Sequence, residues 1–158
     1  MLRTFIATLA IALTIVPSTW AATVVSIGDG DTLRVKDGGK TVTIRLGCID
    51  APERSQRPWG PMAAARLKEL LPTGQKVRLR EIDRDRYGRT VAEVFTNGQS
   101  VNLQMVSDEM AAVYRQYLKN CDANSFNQTE QRAKQAGLGI WNPSNPMQVM
   151  PWDYRKRR

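Results

Sequence analysis

Two short segments of this chain hold carboxylates that could act together. Asp29 and Asp31 alternate with glycines in Gly28-Asp29-Gly30-Asp31, and Asp50 and Glu53 flank Ala51-Pro52 in the stretch RLGCIDAPERSQRPWG, residues 45–60. Carboxylates crowded at one place repel unless a cation joins them, and hard oxygen donors select calcium or magnesium. Taken singly, each segment also reads as an ordinary turn, because Asp and Gly are common turn residues. Arg45 and Arg89 add guanidiniums, which stay charged and offer paired donors to phosphate oxygens. Two of them aimed at one phosphate would stabilise the charge of a five-coordinate transition state. An isolated arginine is equally well explained as a surface ion pair. The combination of acids and arginines is what points to phosphoryl chemistry.

The chain has no histidine. That excludes Ser-His-Asp and Cys-His nucleophile units and histidine-bound zinc. Its two cysteines, Cys48 and Cys121, do not complete a tetrahedral zinc site by themselves. In an exported protein two cysteines are expected to pair. A bridge over so long a loop would constrain the unfolded chain by roughly 4 kcal/mol.

Residues 4–16, TFIATLAIALTIV, follow Arg3 and lead to small residues ending at Ala21. This is the pattern of a secretory signal peptide over residues 1–21, and it predicts export to the periplasm or beyond. Retention as a membrane anchor is the rival reading; the apolar run falls short of the roughly 20 residues a span needs. The 158-residue chain carries a formal charge of +8, which suits an acidic partner such as nucleic acid or an anionic envelope, and equally a basic soluble protein. The length predicts one domain, with no stable membrane span once the signal is removed, and a monomer is expected.

The elements that must position these residues follow from periodicity. Residues 23–27, 32–36, 41–47, 76–82 and 90–95 read as five strands, with a hairpin at Asp37-Gly38-Gly39. In the third strand Val42, Ile44 and Leu46 share one face, and Thr43 and Arg45 share the other. A helix is predicted from Pro61, as its first residue, to Leu71; a second is marked by Leu103, Val106 and Met110; a third runs over about 125–135. Five strands interrupted by one helix and followed by two suggest an α+β, mainly β, architecture: a five-stranded OB-fold barrel with about three helices. Residues 142–158 form a Pro-rich basic tail, expected to be mobile, either solvated or in contact with nucleic acid.

The segments IGDGDTLRV, IRLGCIDAPE, GPMAAARLKELL, DRYGRTVAEVF and AKQAGLGIW occur in the order and spacing of the staphylococcal nuclease (thermonuclease) family. The resemblance spans about residues 24–141, within a domain set at 22–141, and is similar to an exported bacterial member. It implies an OB barrel, in agreement with the strand count. It also implies metal binding by Asp31, Asp50 and the main-chain carbonyl of Ala51, where members often have threonine. Glu53 falls on the water-activating glutamate and Arg45 and Arg89 on the phosphate-binding arginines. Asp29 matches an acid near the metal that is not usually a ligand. Arg86 replaces a lysine common in its loop and keeps the charge. Tyr114 and Tyr117 are candidates for stacking on bases, with a spacing that departs from the family's Y-x-Y.

The implied function is calcium-dependent, sequence-nonspecific hydrolysis of DNA and RNA by an endonuclease that leaves 3′-phosphate ends. The acids alone admit magnesium as well. Phosphate contacts and stacking read no sequence, so single strands should be preferred and binding should weaken with salt. The alternative is a non-catalytic OB module that binds nucleic acid. Such a module has no need of acids beside its arginines, and chelator-sensitive cleavage separates the two.

Overall fold

The structure is a computed structural model, and it describes residues 19–157. The signal peptide expected over residues 1–21 therefore falls almost wholly outside the described residues. Among the described residues no helix is long and apolar enough to cross a membrane.

Strand β1 (Thr19–Ile27) pairs antiparallel with β2 (Thr32–Asp37) and with β5 (Lys76–Arg84). It begins earlier than residue 23, because Thr19, Trp20 and Ala21 pair with Arg80, Leu79 and Arg78. Cleavage after Ala21 would remove that part of the ladder and leave the β1–β2 register intact. β2 returns as β3 (Lys40–Leu46) in the expected hairpin, with Asp37 opposite Lys40 and both turn glycines at positive φ, 51° and 89°. Two successive left-handed residues match the twist of a two-residue hairpin loop, which glycine enters without a Cβ clash. Leu33, Val35, Ile44 and Leu46 are buried, as the alternation predicts.

β5 is antiparallel to β6 (Thr90–Thr96), and β6 closes the barrel by pairing parallel with β3. The sheet order is β3-β2-β1-β5-β6, with the β3–β6 contact joining the ends. This is the five-stranded OB barrel expected. Asn102 sits wholly buried at the closure. It accepts from the Val94 N–H and donates to the carbonyls of Gly47 and Ala92. The Ala92 carbonyl also accepts from the Gly47 N–H at 2.8 Å, so Asn102 ties the β3 end to β6 beside a direct backbone bond.

Helix α1 (Trp59–Leu70) lies between β4 (Ile49–Asp50) and β5. It starts two residues before Pro61, which occupies its third position, where no N–H is required. A short β7 (Gln99–Ser100) leads into α2 (Val101–Ser107), capped by the Ser100 side chain on the Leu103 N–H. This helix stops before Met110, because Glu109 turns to φ 58°. β8 (Ala112–Val113) pairs with β4, and α3 (Ala123–Ala136) ends on left-handed Gly137. The expected mobile tail is instead a packed strap that ends in a fourth helix, α4 (Pro151–Lys156). Met147, Met150 and Trp152 seat it against Trp59, Ala112 and Ile140.

Candidate active site

The β2–β3 register sets Thr32 opposite Arg45, so the β1–β2 turn with its aspartates opens onto Arg45. The Leu46 N–H donates to the Asp31 carbonyl at 2.8 Å, and the Ala51 N–H donates to Asp31 Oδ2 at 2.7 Å. Two acid segments far apart in sequence are thereby stitched together. Gly30 makes the approach possible: a Cβ there would lie 2.7 Å from that of Ala51 and 2.6 Å from that of Ala63 on α1.

Arg45 Nη2 lies between the two aspartates, 3.1 Å from Asp31 Oδ2 and 2.7 Å from Asp50 Oδ1. Its Nη1 donates to the carbonyls of Leu46 and Ile49, which fixes the guanidinium plane. The parallel β3–β6 pairing puts Thr90 beside Ile44 and so brings Arg89 to the same end of the barrel. Asp85 grips Arg89 Nε at 2.6 Å, and Arg89 Nη1 lies 3.5 Å from the Thr32 hydroxyl, which itself donates to Asp31 Oδ1. Burial works against the Asp85 charge, but its bonds with Arg89 outweigh it and hold the carboxyl below its usual range.

Glu53 leaves β4 in a tight turn, its N–H held by Gln56 Oε1 at 2.9 Å. Helix α1 begins hard against that turn. A Cβ on Gly60 would come within 1.9 Å of the Glu53 carbonyl oxygen. One cavity of about 1200 Å³ is lined by Asp29, Asp31, Arg45, Glu53, Arg86 and Arg89, with Tyr114 and Tyr117 on its wall. The arrangement therefore gathers the sequence-predicted acids and arginines at one opening. Asp50 lies just beneath it, wholly buried.

Three features add to what the sequence suggested. Arg155, on α4, makes a bidentate pair with Asp50 and reaches Glu53 Oε1 at 3.0 Å. Burial opposes its charge, but Asp50 and Glu53 prevail and raise its affinity for the proton above that of an ordinary arginine. Trp152 stacks on Tyr114, with centroids 5.1 Å apart and planes at 10°, so one face of Tyr114 is already covered. Tyr117 lies on the same wall, more than half exposed, 4.7 Å from Tyr114. Tyr87 is the third feature: exposed, with Arg86 and Arg89 over its ring and its hydroxyl bonded to Arg86. Pro151 at a helix start, followed by Trp152 and Arg155 three apart, was the sequence signal for α4.

The disulfide between Cys48 and Cys121 forms as expected. With the β4–β8 pairing and the Tyr114 N–H on the Cys48 carbonyl at 2.9 Å, it fastens the tyrosine segment beside the acid segment.

Asp31 bears on the question of a cation. Burial pushes its carboxyl up to about 7, Arg45 opposes the rise, and Asp29 and Asp50 add to it. Burial is the larger cause, and an added positive charge beside the carboxylate would favour its ionised form. The donors there are hard oxygens, suited to calcium or magnesium with water filling the remaining positions. Among the described residues no cluster of three or more acidic, cysteine or histidine side chains stands ready as a complete metal cage. The oxygens of Asp31 and Asp50 are bonded to Thr32, the Ala51 N–H, Arg45 and Arg155, so a cation there would have to share them with these donors.

The site thus joins, at one end of a closed OB barrel, Arg45 and Arg89, the buried Asp31 and Asp50, and an aromatic wall. A family model described as staphylococcal nuclease homologue matches residues 43–143. An uncharacterized endonuclease of Haemophilus influenzae is 38% identical over 130 residues, covering 82% of this chain and 70% of that protein. A micrococcal nuclease of Shigella flexneri is 38% identical over 142 residues, covering 84% and 79%. Endonuclease YncB of Bacillus subtilis is 37% identical over 126 residues, covering 73% and 59%. The chain belongs to the family of staphylococcal nuclease homologues. Nuclease activity is the function that this membership and these names support.

Proposed function

We propose that the chain is an exported, divalent-cation-dependent endonuclease that hydrolyses DNA and RNA without sequence preference and leaves 3′-phosphate ends. The observation that carries the reading is the placement of Arg45 Nη2 between Asp31 and Asp50 at the mouth of the cavity that Glu53 and Arg89 also line. A binding surface would gain nothing from buried acids that repel phosphate.

Asp31, Asp50 and the Ala51 carbonyl would hold the cation, calcium by family likeness, and its charge would offset that of a bound phosphate. Arg45 and Arg89 would present N–H donors to the phosphoryl oxygens and meet the charge gained in the transition state. Glu53, partly exposed in the cavity, would orient the attacking water and accept its proton. Arg86 and Lys119 on the cavity rim would attract the polyanion, and Tyr117 and Trp152 would stack on unpaired bases. Loosely stacked single strands should therefore enter more readily than firm duplex. The chain is expected to act as a monomer, released or periplasmic after removal of residues 1–21.

The test is cleavage of single-stranded DNA, duplex DNA and RNA by the purified protein with calcium, with magnesium and with chelator. Cleavage abolished by chelator and restored by a divalent cation is expected, with product ends that a 3′-phosphatase makes extendable. Binding without cleavage under every cation would make the chain the non-catalytic OB module instead.

A further inference from the structure

The C-terminal helix brings a third guanidinium to the acids. Arg155 Nη2 lies 2.7 Å from Asp50 Oδ2, and its Nη1 is shared between Asp50 Oδ1 and Glu53 Oε1 at 3.0 Å each. Arg155 thus hydrogen-bonds the Glu53 carboxylate directly. One planar group therefore fixes the spacing between a buried aspartate and the glutamate in the cavity. A flexible carboxylate without such a partner samples several rotamers, and few of them aim at a given water.

The helix bearing Arg155 is itself held from several sides. Gln56, which also holds the Glu53 N–H, donates through Nε2 to the Val149 carbonyl at 2.9 Å. The Tyr154 hydroxyl bonds Ser55 at 3.0 Å, and Trp152 stacks on Tyr114. Ser55 and Gln56 belong to the turn that carries Glu53. The strap and the turn are thus bound to each other, not merely adjacent.

We propose that Arg155 is a positioning residue of the active site, holding the Glu53 carboxylate at a set distance from Asp50 so that it can orient the attacking water. The proposal rests on the nuclease reading above. The planar fork matters as well as the charge, because one ammonium cannot reproduce a bidentate pair together with the bond to Glu53. Removing the outer partner of a metal-ligating group, the part Arg155 would play for Asp50, typically costs about 10–100-fold in metal affinity or activity.

The experiment uses the full chain with Arg155→Ala, Arg155→Lys and the unsubstituted protein, on one single-stranded oligonucleotide at saturating calcium. Calcium binding is measured separately by calorimetry, and folding by thermal melting. Arg155→Ala should lose about 10–100-fold in kcat, with KM within about threefold and calcium bound no more weakly, since a positive charge has gone. Added methylguanidinium should recover part of the lost kcat, while the same concentration of sodium chloride should not. Arg155→Lys keeps the charge at the site and should remain below a tenth of the full rate, on the order of the lower bound above. Full kcat in Arg155→Lys would overturn the proposal. So would a raised kcat in Arg155→Ala, which would make Arg155 a plug, or a loss that appears only as weaker calcium binding. If the unsubstituted protein cleaves nothing with any cation, the nuclease reading falls and takes this inference with it; if it cleaves and the variants match it, only this inference falls.

Discussion

The Ala51 main-chain N–H donates to Asp31 Oδ2 at 2.7 Å, across 20 positions of chain. This bond joins the β1–β2 turn to the start of the Glu53 turn and sets two acidic segments face to face. Asp31 consequently has one oxygen committed to the backbone and to Arg45, and the other to Thr32. What the site can bind follows from how little freedom that leaves.

Asp31 makes the metal-free protein sensitive to pH. Its folded-state carboxyl is held at about 7 against an ordinary 3.8. The folded state therefore binds this proton more tightly than the unfolded chain. The resulting stability is complete below the unfolded value and is lost as pH rises through about 7. With chelator present, Asp31→Asn should raise the melting temperature at alkaline pH by several degrees, on the order of a few kcal/mol. The gain should shrink on acidification toward pH 5. A difference that does not vary with pH would remove the burial of an ionised Asp31 from the account.

Arg45 and Arg89 should be separable. Either change to alanine is expected to reduce kcat by roughly 10²–10³. Arg45 also neutralises Asp31 and Asp50 from a nearly enclosed position, so Arg45→Ala should additionally destabilise the metal-free fold. Arg89 is ion-paired with Asp85 in a partly exposed loop, and its loss should lower melting less than that of Arg45. Thermal melts in chelator, run beside the rate assays, check this; equal melting losses would contradict it.

Gly60 is a test of the Glu53 turn that touches no functional side chain. Its position leaves no room for a methyl, since the Cβ would fall 1.9 Å from the Glu53 carbonyl oxygen and 2.6 Å from its carbon. Gly60→Ala must shift that backbone. A misplacement of about 1 Å can cost up to 10²-fold in rate, and a loss of at least about tenfold is expected on that basis. Unchanged kcat would mean that the position of Glu53 does not limit the reaction.

The Cys48–Cys121 bridge should matter for stability first. It closes a 73-residue separation, and reduction or Cys121→Ser is expected to cost about 2–5 kcal/mol. The β4–β8 pairing still holds Tyr114 near Asp50, so activity well below the lowered melting point should survive. Denaturant unfolding with and without reductant measures the first, and cleavage at low temperature the second.

The strands, the β2–β3 hairpin and the burial of Leu33, Val35, Ile44 and Leu46 were legible because alternation and turn glycines act over a few residues. Asp31, Arg45, Asp50, Glu53 and Arg89 were legible as a set through residue types and family spacing. The expected start of α1 at Pro61 and reach of α2 to Met110 missed by a few residues. Backbone hydrogen bonds formed elsewhere in the fold decide those ends, as when Glu109 takes a left-handed turn to accept the N–H groups of Leu138 and Gly139.

By itself, then, the sequence determined a basic β-rich chain with an acid-and-arginine set suited to phosphate and no histidine chemistry. Only the tertiary structure decided that the last helix belongs to the site. Arg155 stands 105 positions from Asp50 in a charged tail, and no periodicity relates the two. Their contact depends on the barrel closing, on β8 lying against β4, and on the apolar strap of Met147, Met150 and Trp152 settling over Trp59 and Ile140. Local patterns encode which face of a segment is apolar. Which remote charge ends beside a buried carboxylate is fixed only when all those faces are packed at once.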